Sequence, residues 1–208
     1  MRIVVCDVGL GNLRSVEHAL REVARGTSDE VEITDDPARV SRADKLVMPG
    51  QGGFGDCARA LSGALGHAAR AHLAAERPYL GICLGLQVLF RSSEEAPSET
   101  GLGIFEGQVE KLPGGIDPTT GGPLKIPHIG WNVVEPTPGS PWLAVPQHFY
   151  FVHSYAVVPR DSSIVAATTE YGPRFVSASE RGNLFACQFH PEKSQEAGLA
   201  LLERFLAS

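Results

Sequence analysis

Short apolar runs alternate with helical periodicities through the first half of the chain, and this alternation restricts the fold more than any other feature. Arg2 to Val8 reads as a buried strand, and Asn12 then opens a helix whose apolar positions Leu13, Val16, Leu20 and Val23 recur at helical spacing. Val31 to Thr34 and Lys45 to Met48 are further short strands, the second leading through a glycine-rich turn into a helix that runs to about Ala75. Tyr79 to Ile82 is another strand, followed at once by a helix from Leu84 to Phe90. Strands separated by helices pair in parallel with the helices on the sheet's faces. The expected class is therefore α/β, with a largely parallel central sheet and ligands at the carboxyl ends of its strands.

The pattern changes after Arg91. Ser92 to Gly101 is a polar, acidic loop, and β-rich segments follow at Trp131 to Val134, Phe149 to Val158, Ile164 to Thr169 and Phe175 to Ala178. These read as an antiparallel extension, which makes the sheet mixed. Leu184 to Phe189 gives one more apolar strand, and Ser194 to Leu206 a closing helix with Leu201, Leu202 and Phe205 on one face. Pro113 to Pro123, rich in proline and glycine, reads as an exposed loop. No internal repeat is visible. A chain of 208 residues can bury one full core, and no flexible connector divides it, so a single domain over residues 1–208 is expected.

Net charge and hydropathy narrow the function classes. A formal net charge of -6 gives no general attraction to phosphate backbones, which argues against nucleic acid. The apolar start Ile3-Val4-Val5-Cys6 is stopped by Asp7, too early for a signal peptide, and no stretch approaches the roughly 18 apolar residues of a membrane helix. A cytoplasmic protein is expected. Four widely spaced cysteines, Cys6, Cys57, Cys83 and Cys187, include no C-x-x-C and suggest reduced thiols rather than a disulfide framework or a zinc site.

Gly81-Ile82-Cys83-Leu84-Gly85 has the form of a nucleophile elbow, with cysteine where hydrolases carry serine. Small residues at both ends let the chain turn sharply from strand to helix. The turn lifts the side chain to the sheet's edge, where the helix N-terminus favours the thiolate and the Leu84 backbone N–H can face a developing oxyanion. The plainer alternative is a small core residue after a buried strand. A nucleophilic cysteine also needs a base held in one orientation by a third group. His190-Pro191-Glu192 supplies both if the strand before it lies beside Cys83, with Glu192 accepting the imidazole's second N–H. Cys83, His190 and Glu192 are thus the candidate triad. Cys6, Cys57 and Cys187 are read as structural.

Gly50-Gln51-Gly52-Gly53-Phe54-Gly55 matches G-x-G-x-x-G, but the acidic residue expected about 20 positions later is missing, which disfavours dinucleotide binding. The loop can instead present a backbone N–H, that of Gly52, as a second oxyanion donor; the alternative is a tight turn alone. No Walker-type G-x-x-x-x-G-K-[ST] is present. His67 and His72 lie five apart on a predicted helix, off any shared metal-binding face, and are read as exposed. Neither a metal nor a cofactor is expected.

The elbow and the late His-Pro-Glu resemble those of the triad-type (class I) glutamine amidotransferases, whose fold is flavodoxin-like. Within that family the chain is similar to the glutaminase subunits of imidazole glycerol phosphate synthases. The segments that carry this are Gly9 to Val16, Pro127 to Asn132, Tyr150 to Tyr155 and Gln188 to Ser194, which run over nearly the whole chain. The resemblance implies hydrolysis of glutamine, held by Gln87, His153, Ser154 and Tyr155. It also implies delivery of ammonia to a (β/α)8-barrel cyclase partner, with Asn12, Trp131, Asn132 and Lys193 near the subunit interface. Two departures stand out: Gln51 replaces a small apolar residue common in the oxyanion loop, and Val8 replaces an aromatic in the first glycine turn. Amidotransferase subunits of the anthranilate or aminodeoxychorismate type share the triad but not the Gly9 to Val16 or Pro127 to Asn132 segments. A non-catalytic scaffold would need none of the three triad residues.

Overall fold

The computed structural model describes residues 1–117 and 121–208. In chain order the elements are β1 (Arg2–Cys6), α1 (Leu13–Val23), β2 (Glu30–Thr34), α2 (Pro37–Ser41), β3 (Lys45–Met48), α3 (Phe54–Ala60), α4 (Ala64–Ala74), β4 (Tyr79–Ile82) and α5 (Leu84–Gln87). The strand-rich part follows with β5 (Phe90–Ser93), β6 (Phe105–Lys111), β7 (His128–Pro136), β8 (Gln147–His153), β9 (Tyr155–Pro159), β10 (Val165–Glu170), β11 (Arg174–Arg181) and β12 (Leu184–Cys187), before the closing α6 (Gln195–Ala207).

The main sheet runs β2-β1-β3-β4-β12-β11-β10-β7-β8. Its first five strands are parallel, and β11, β10, β7 and β8 extend it by antiparallel pairing. A side branch pairs β5 with β6, β6 with β9, and β9 with β11. The α/β class and the antiparallel extension are thus both present.

Residues of the parallel strands alternate between two cores. Ile3, Val5, Val47, Leu80, Ile82 and Phe185 face Val16 and Leu20 of α1 and Leu201, Leu202 and Phe205 of α6. Val4, Cys6, Leu46, Met48, Tyr79 and Ala186 face the opposite layer, which α2, α3 and α4 cover through Val40, Phe54, Cys57 and Ala69. Burial on both faces explains why these strands read as continuous apolar runs. Lys45, buried in β3, is satisfied by donating from Nζ to the carbonyls of Phe205, at 2.9 Å, and Ser208, which ties α6 to the sheet. Among the described residues no helix is long and apolar enough to cross a membrane.

Several expected boundaries shift, each for a local reason. The helix expected to run to Ala75 is two helices: Ser62 Oγ donates to the Arg59 carbonyl at 2.7 Å, and the chain restarts at Gly63. The helix expected to Phe90 stops at Gln87, because the carbonyls of Val88 and Leu89 are taken by the N–H groups of Leu102, Ile104 and Phe105. β1 ends at Cys6 and β12 at Cys187, and α2, β5 and β6 are additional elements, β5 taking the first two residues of the expected Ser92–Gly101 loop by pairing with β6; Asp36 caps α2 by accepting from Ala38 N at 2.8 Å. The single segment expected from Phe149 to Val158 is two strands with different partners, divided at Ser154. His72 is buried rather than exposed, its Nε2 donating to the Pro78 carbonyl at 2.9 Å, and burial lowers its pKa. The Pro113–Pro123 loop carries a bridge between Ile116 and Pro123, and residues 118–120 of it lie outside the described residues.

Two glycines make the turn after β4 possible. A Cβ on Gly81 would stand 2.5 Å from the Gly85 carbonyl oxygen, and a Cβ on Gly85 would overlap the Met48 carbonyl oxygen at the end of β3. Gly85→Ala is therefore expected to lower stability by about 1–3 kcal/mol through overpacking. At this chain length that lowers Tm by about 2–4 °C for each kcal/mol, read by thermal denaturation. A Tm equal to that of the parent chain would show that the β3–α5 contact can relax.

Candidate active site

Cys83 and His190 meet because β4 and β12 are parallel neighbours with Ile82 opposite Cys187. One residue beyond β4 is Cys83, and three beyond β12 is His190, so both stand at the same carboxyl edge. Cys83 adopts φ 55° and ψ -102°, a left-handed conformation that costs a non-glycine residue about 1–3 kcal/mol. It is held there by its N–H donating to the Cys187 carbonyl at 2.8 Å. The backbone of His190 is equally fixed, donating to the Tyr150 carbonyl at 2.9 Å and accepting from Ser194 Oγ at 2.6 Å.

His190 Nδ1 lies 2.8 Å from Glu192 Oε1, with both side chains almost wholly buried. Burial pulls the imidazole pKa down, but the Cys83 sulfur and the Glu192 carboxylate outweigh it and raise the pKa to about 9. Among the described residues His190 Nε2 is buried without a hydrogen-bond partner. An imidazolium beside sulfur, oriented by a carboxylate, is the arrangement a thiolate nucleophile needs.

A cleft of about 360 Å³ opens above the thiol. It is lined by Cys83, Gly52, Leu84, Gln87, His153, Ser154, Tyr155 and Lys193, so the structure gathers these predicted residues in one place. Ser154 sits where the chain leaves β8 for β9, its carbonyl accepting from Leu112 N at 2.8 Å. Leu84 N–H donates to the Gly50 carbonyl oxygen at 3.5 Å, so this expected oxyanion donor is already engaged, and Gly52 has φ +133°, which favours glycine there. Asn12, Trp131 and Asn132 lie outside the cleft lining. Asn12 caps α1, accepting from Ser15 N at 3.3 Å. Trp131 is 47% exposed on β7, edge-on to Tyr150. Asn132 donates to the Glu170 carbonyl at 2.8 Å. Lys193 Nζ stands 5.9 Å over the Tyr150 ring.

Two polar residues at the site carried no signal of their own in the sequence. Glu95, in the loop read as merely acidic, lines the cleft and caps α3 by accepting from Phe54 N at 2.7 Å, where Gly53 has no side chain to do so. Gln188 places Nε2 3.4 Å from Cys83 Sγ. Both depend on long-range contacts that no local pattern reports. Among the described residues no group of three or more His, Cys, Asp or Glu side chains is placed to hold a metal ion.

Beside the cleft, a hydrogen-bonded chain fixes two further imidazoles. The Tyr155 carbonyl can only accept, so His153 Nδ1 carries the proton of that 2.9 Å bond. His153 Nε2 must then accept from His128 Nδ1, at 3.0 Å, and His128 Nε2 from Asn132 Nδ2, at 3.3 Å. Both rings are held neutral. Burial lowers the pKa of His128 to about 4 and, with smaller contributions from His128 and His190, that of His153 to about 3.

The class-I glutamine amidotransferase family matches residues 4–208, and the chain belongs to it. More particularly, it is 47% identical over 207 residues to the imidazole glycerol phosphate synthase subunit HisH of Syntrophotalea carbinolica, covering 98% of each chain. It is likewise 47% identical over 209 residues to the protein of that name from Aquifex aeolicus, covering 99% of this chain and 96% of the relative. Solved structures share the fold at low identity. A crystal structure of a glutamine amidotransferase matches with TM-score 0.73 at 18% identity, covering 98% of this chain and 97% of the other. PurLQS from Thermotoga maritima gives TM-score 0.73 at 18% identity over 99% and 97%.

The neutral histidines set an acid limit on stability. An unfolded histidine binds a proton near pH 6.5, whereas folded His153 resists until about pH 3, so stability falls as pH drops below 6.5. His153 alone accounts for about 1.4 kcal/mol per pH unit across that window. The raised pKa of His190 acts oppositely, its contribution being complete below 6.5 and lost as pH rises through about 9. Urea unfolding between pH 7 and pH 5 should show the acid slope, and His153→Gln should make it shallower. An unchanged slope in that variant would mean His153 is not held neutral.

Proposed function

We propose that this chain is the glutaminase subunit of an imidazole glycerol phosphate synthase, acting in the cytoplasm. The observation that carries the chemistry is the cysteine at a strained elbow, beside a buried His–Glu pair on the neighbouring parallel strand and under a cleft sized for a small amide. In the proposed cycle Cys83 Sγ attacks the glutamine carboxamide carbon, and the oxygen takes up the charge facing the backbone N–H of Gly52 and that of Leu84, which exchanges its 3.5 Å bond to the Gly50 carbonyl for the oxyanion. His190 gives its proton to the departing ammonia as the C–N bond breaks and the thioester remains. Water, deprotonated by His190, then attacks the thioester, releasing glutamate and the thiolate. Glu192 keeps the imidazole in register and stabilises its protonated form. Gln87, His153, Ser154 and Tyr155 line the substrate's place.

The acceptor side of the reading rests on the near-full-length identity to HisH subunits and on an apolar face next to the cleft. On β7, Ile129 is 59% and Trp131 47% exposed, and they share the face of the strand opposite His128 and Asn132. Two large apolar side chains raised beside a cleft mouth fit a protein partner. In the proposal that partner is a (β/α)8-barrel cyclase. It takes the ammonia to convert a phosphoribulosyl-formimino carboxamide nucleotide into imidazole glycerol phosphate and the aminoimidazole carboxamide nucleotide. Trp131 belongs to that contact, and the family resemblance adds Asn12, Lys193 and Asn132, the last from the opposite face of β7, where its amide bonds the Glu170 carbonyl.

Glutamate release should be measured for the chain alone and with a purified cyclase subunit, with and without the nucleotide. Stimulation by partner plus nucleotide is expected; hydrolysis indifferent to both would assign the glutaminase to another acceptor. Cys83→Ala should abolish synthesis from glutamine while the complex still uses free ammonium, and equal loss of both in a folded complex would contradict the triad. Glu192→Gln should slow hydrolysis less than His190→Ala, since the acid orients and the histidine transfers protons. A wild-type rate in Glu192→Gln would remove Glu192 from the site.

A further inference from the structure

The helix after Cys83 is a single turn, Leu84–Gln87, too short to build the dipole that a longer helix would aim at the sulfur. A different donor stands in its place. Gln188 is fully buried, directly follows β12, and has its Nε2 3.4 Å from Cys83 Sγ and its backbone N–H on the Ser177 carbonyl at 2.9 Å.

The direction of that bond is dictated from the far end of a chain. The Tyr155 carbonyl can only accept, so the Gln87 side chain must turn its NH2 group towards it, at 3.1 Å. The second hydrogen of the same Nε2 then goes to Gln188 Oε1, also at 3.1 Å. With its oxygen committed there, Gln188 presents its own NH2 group to the sulfur. Reversing either amide would set oxygen against oxygen or nitrogen against nitrogen in a buried place, which is costly. The same carbonyl accepts from His153 Nδ1, so one backbone oxygen orients both arms of the network.

We propose that Gln188 is a catalytic residue of the reaction read above: its amide N–H, aimed by Gln87 and the Tyr155 carbonyl, donates to the Cys83 sulfur and stabilises it as the thiolate. The inference rests on the reading of Cys83 as nucleophile. A donor bond to sulfur is strongest when the sulfur is charged. It therefore favours the thiolate before attack and again when the thioester expels it, and it weakens in the neutral thioester between. It also explains why Gln87 has a role besides touching substrate, since both of its amide hydrogens are spent on this chain.

The test uses the full-length chain, alone and in complex with the cyclase subunit, comparing wild type, Gln188→Met and Gln188→Glu. Iodoacetamide alkylation of Cys83, located by peptide mass against a Cys83→Ala control, reports the thiolate. In neutral buffer Gln188→Met should be alkylated about tenfold more slowly, the scale of one hydrogen bond to a charged group, and should regain the wild-type rate in strongly alkaline buffer. Its kcat for glutamine should fall by a similar factor with KM little changed. Gln188→Glu keeps the oxygen that accepts from Gln87 and places a second oxygen against the sulfur, so it should be slower still. Should Gln188→Met fail to fold, Gln87→Met, which unties the amide without removing it, should show a smaller loss with the same alkaline recovery. Wild-type alkylation of Gln188→Met at neutral pH, or an equal loss at every pH, would overturn the role of Gln188. A wild-type chain whose Cys83 is unreactive, with Cys83→Ala still hydrolysing glutamine, would instead overturn the nucleophile reading itself.

Discussion

The parallel pairing of β4 with β12 is the constraint on which the rest of the site depends. These strands are separated by most of the second half of the chain, yet the register that sets Ile82 opposite Cys187 brings the residues just beyond them to one edge. Parallel strands need a crossover, and here everything from β5 to β11 serves as one. A slip of one residue would turn Cys83 away from His190 and reverse the faces of Leu80, Ile82 and Phe185, which the layer of α1 and α6 buries. The hydrophobic pattern that fixes the sheet therefore also fixes the catalytic distance. Gly81 and Gly85 admit the close approach that lets the turn follow the strand directly.

The antiparallel extension has a second use beyond completing the crossover. Where the chain leaves β8 for β9 at Ser154, His153 and Tyr155 come from different strands, one paired with β7 and the other with β6 and β11. The Tyr155 carbonyl is consequently free of ladder pairing towards the cleft and accepts from two side chains. A strand that continued without interruption would have spent that oxygen on a neighbour. The polar wall of the cleft is thus a product of the sheet's branching.

The alternation of strands and helices, the elbow and the His-Pro-Glu turn were all legible in the sequence, because each is a local pattern whose chemistry is carried by adjacent residues. Lys45 to Met48 and Tyr79 to Ile82 form strands over those same residues for the same reason: short apolar runs bounded by turn residues. What failed to show depended on distant partners. The helix after Cys83 ends early because residues 102–105 capture the Val88 and Leu89 carbonyls, a competition that periodicity cannot see. His72 is buried with its Nε2 on the Pro78 carbonyl, a partner beyond the end of its own helix that helical periodicity does not report. Glu95 and Gln188 belong to a loop and to a strand end, and their partners are dozens of positions away.

Three imidazoles lie close together at this site, and the groups behind them decide which one holds a proton. Among the described residues His128 and His153 hydrogen-bond a backbone carbonyl, an amide and each other but no carboxylate; the Tyr155 carbonyl alone favours a charged His153, and burial outweighs it and keeps both rings neutral. His190 is buried as deeply but has Glu192 on one side and the Cys83 sulfur nearby, so the same burial strengthens the attraction that protonates it. His190 in turn lowers the pKa of His153 by repulsion, which makes a second imidazolium in the site more costly. A single mobile proton is confined to the ring beside the sulfur, while the ring lining the cleft stays in one tautomer and can meet a substrate only through a fixed donor–acceptor pattern. Replacing Glu192 by a neutral residue would weaken this confinement without altering the fold, since the strands that bring the three rings together are held by their backbone ladders and apolar cores, neither of which uses the Glu192 side chain.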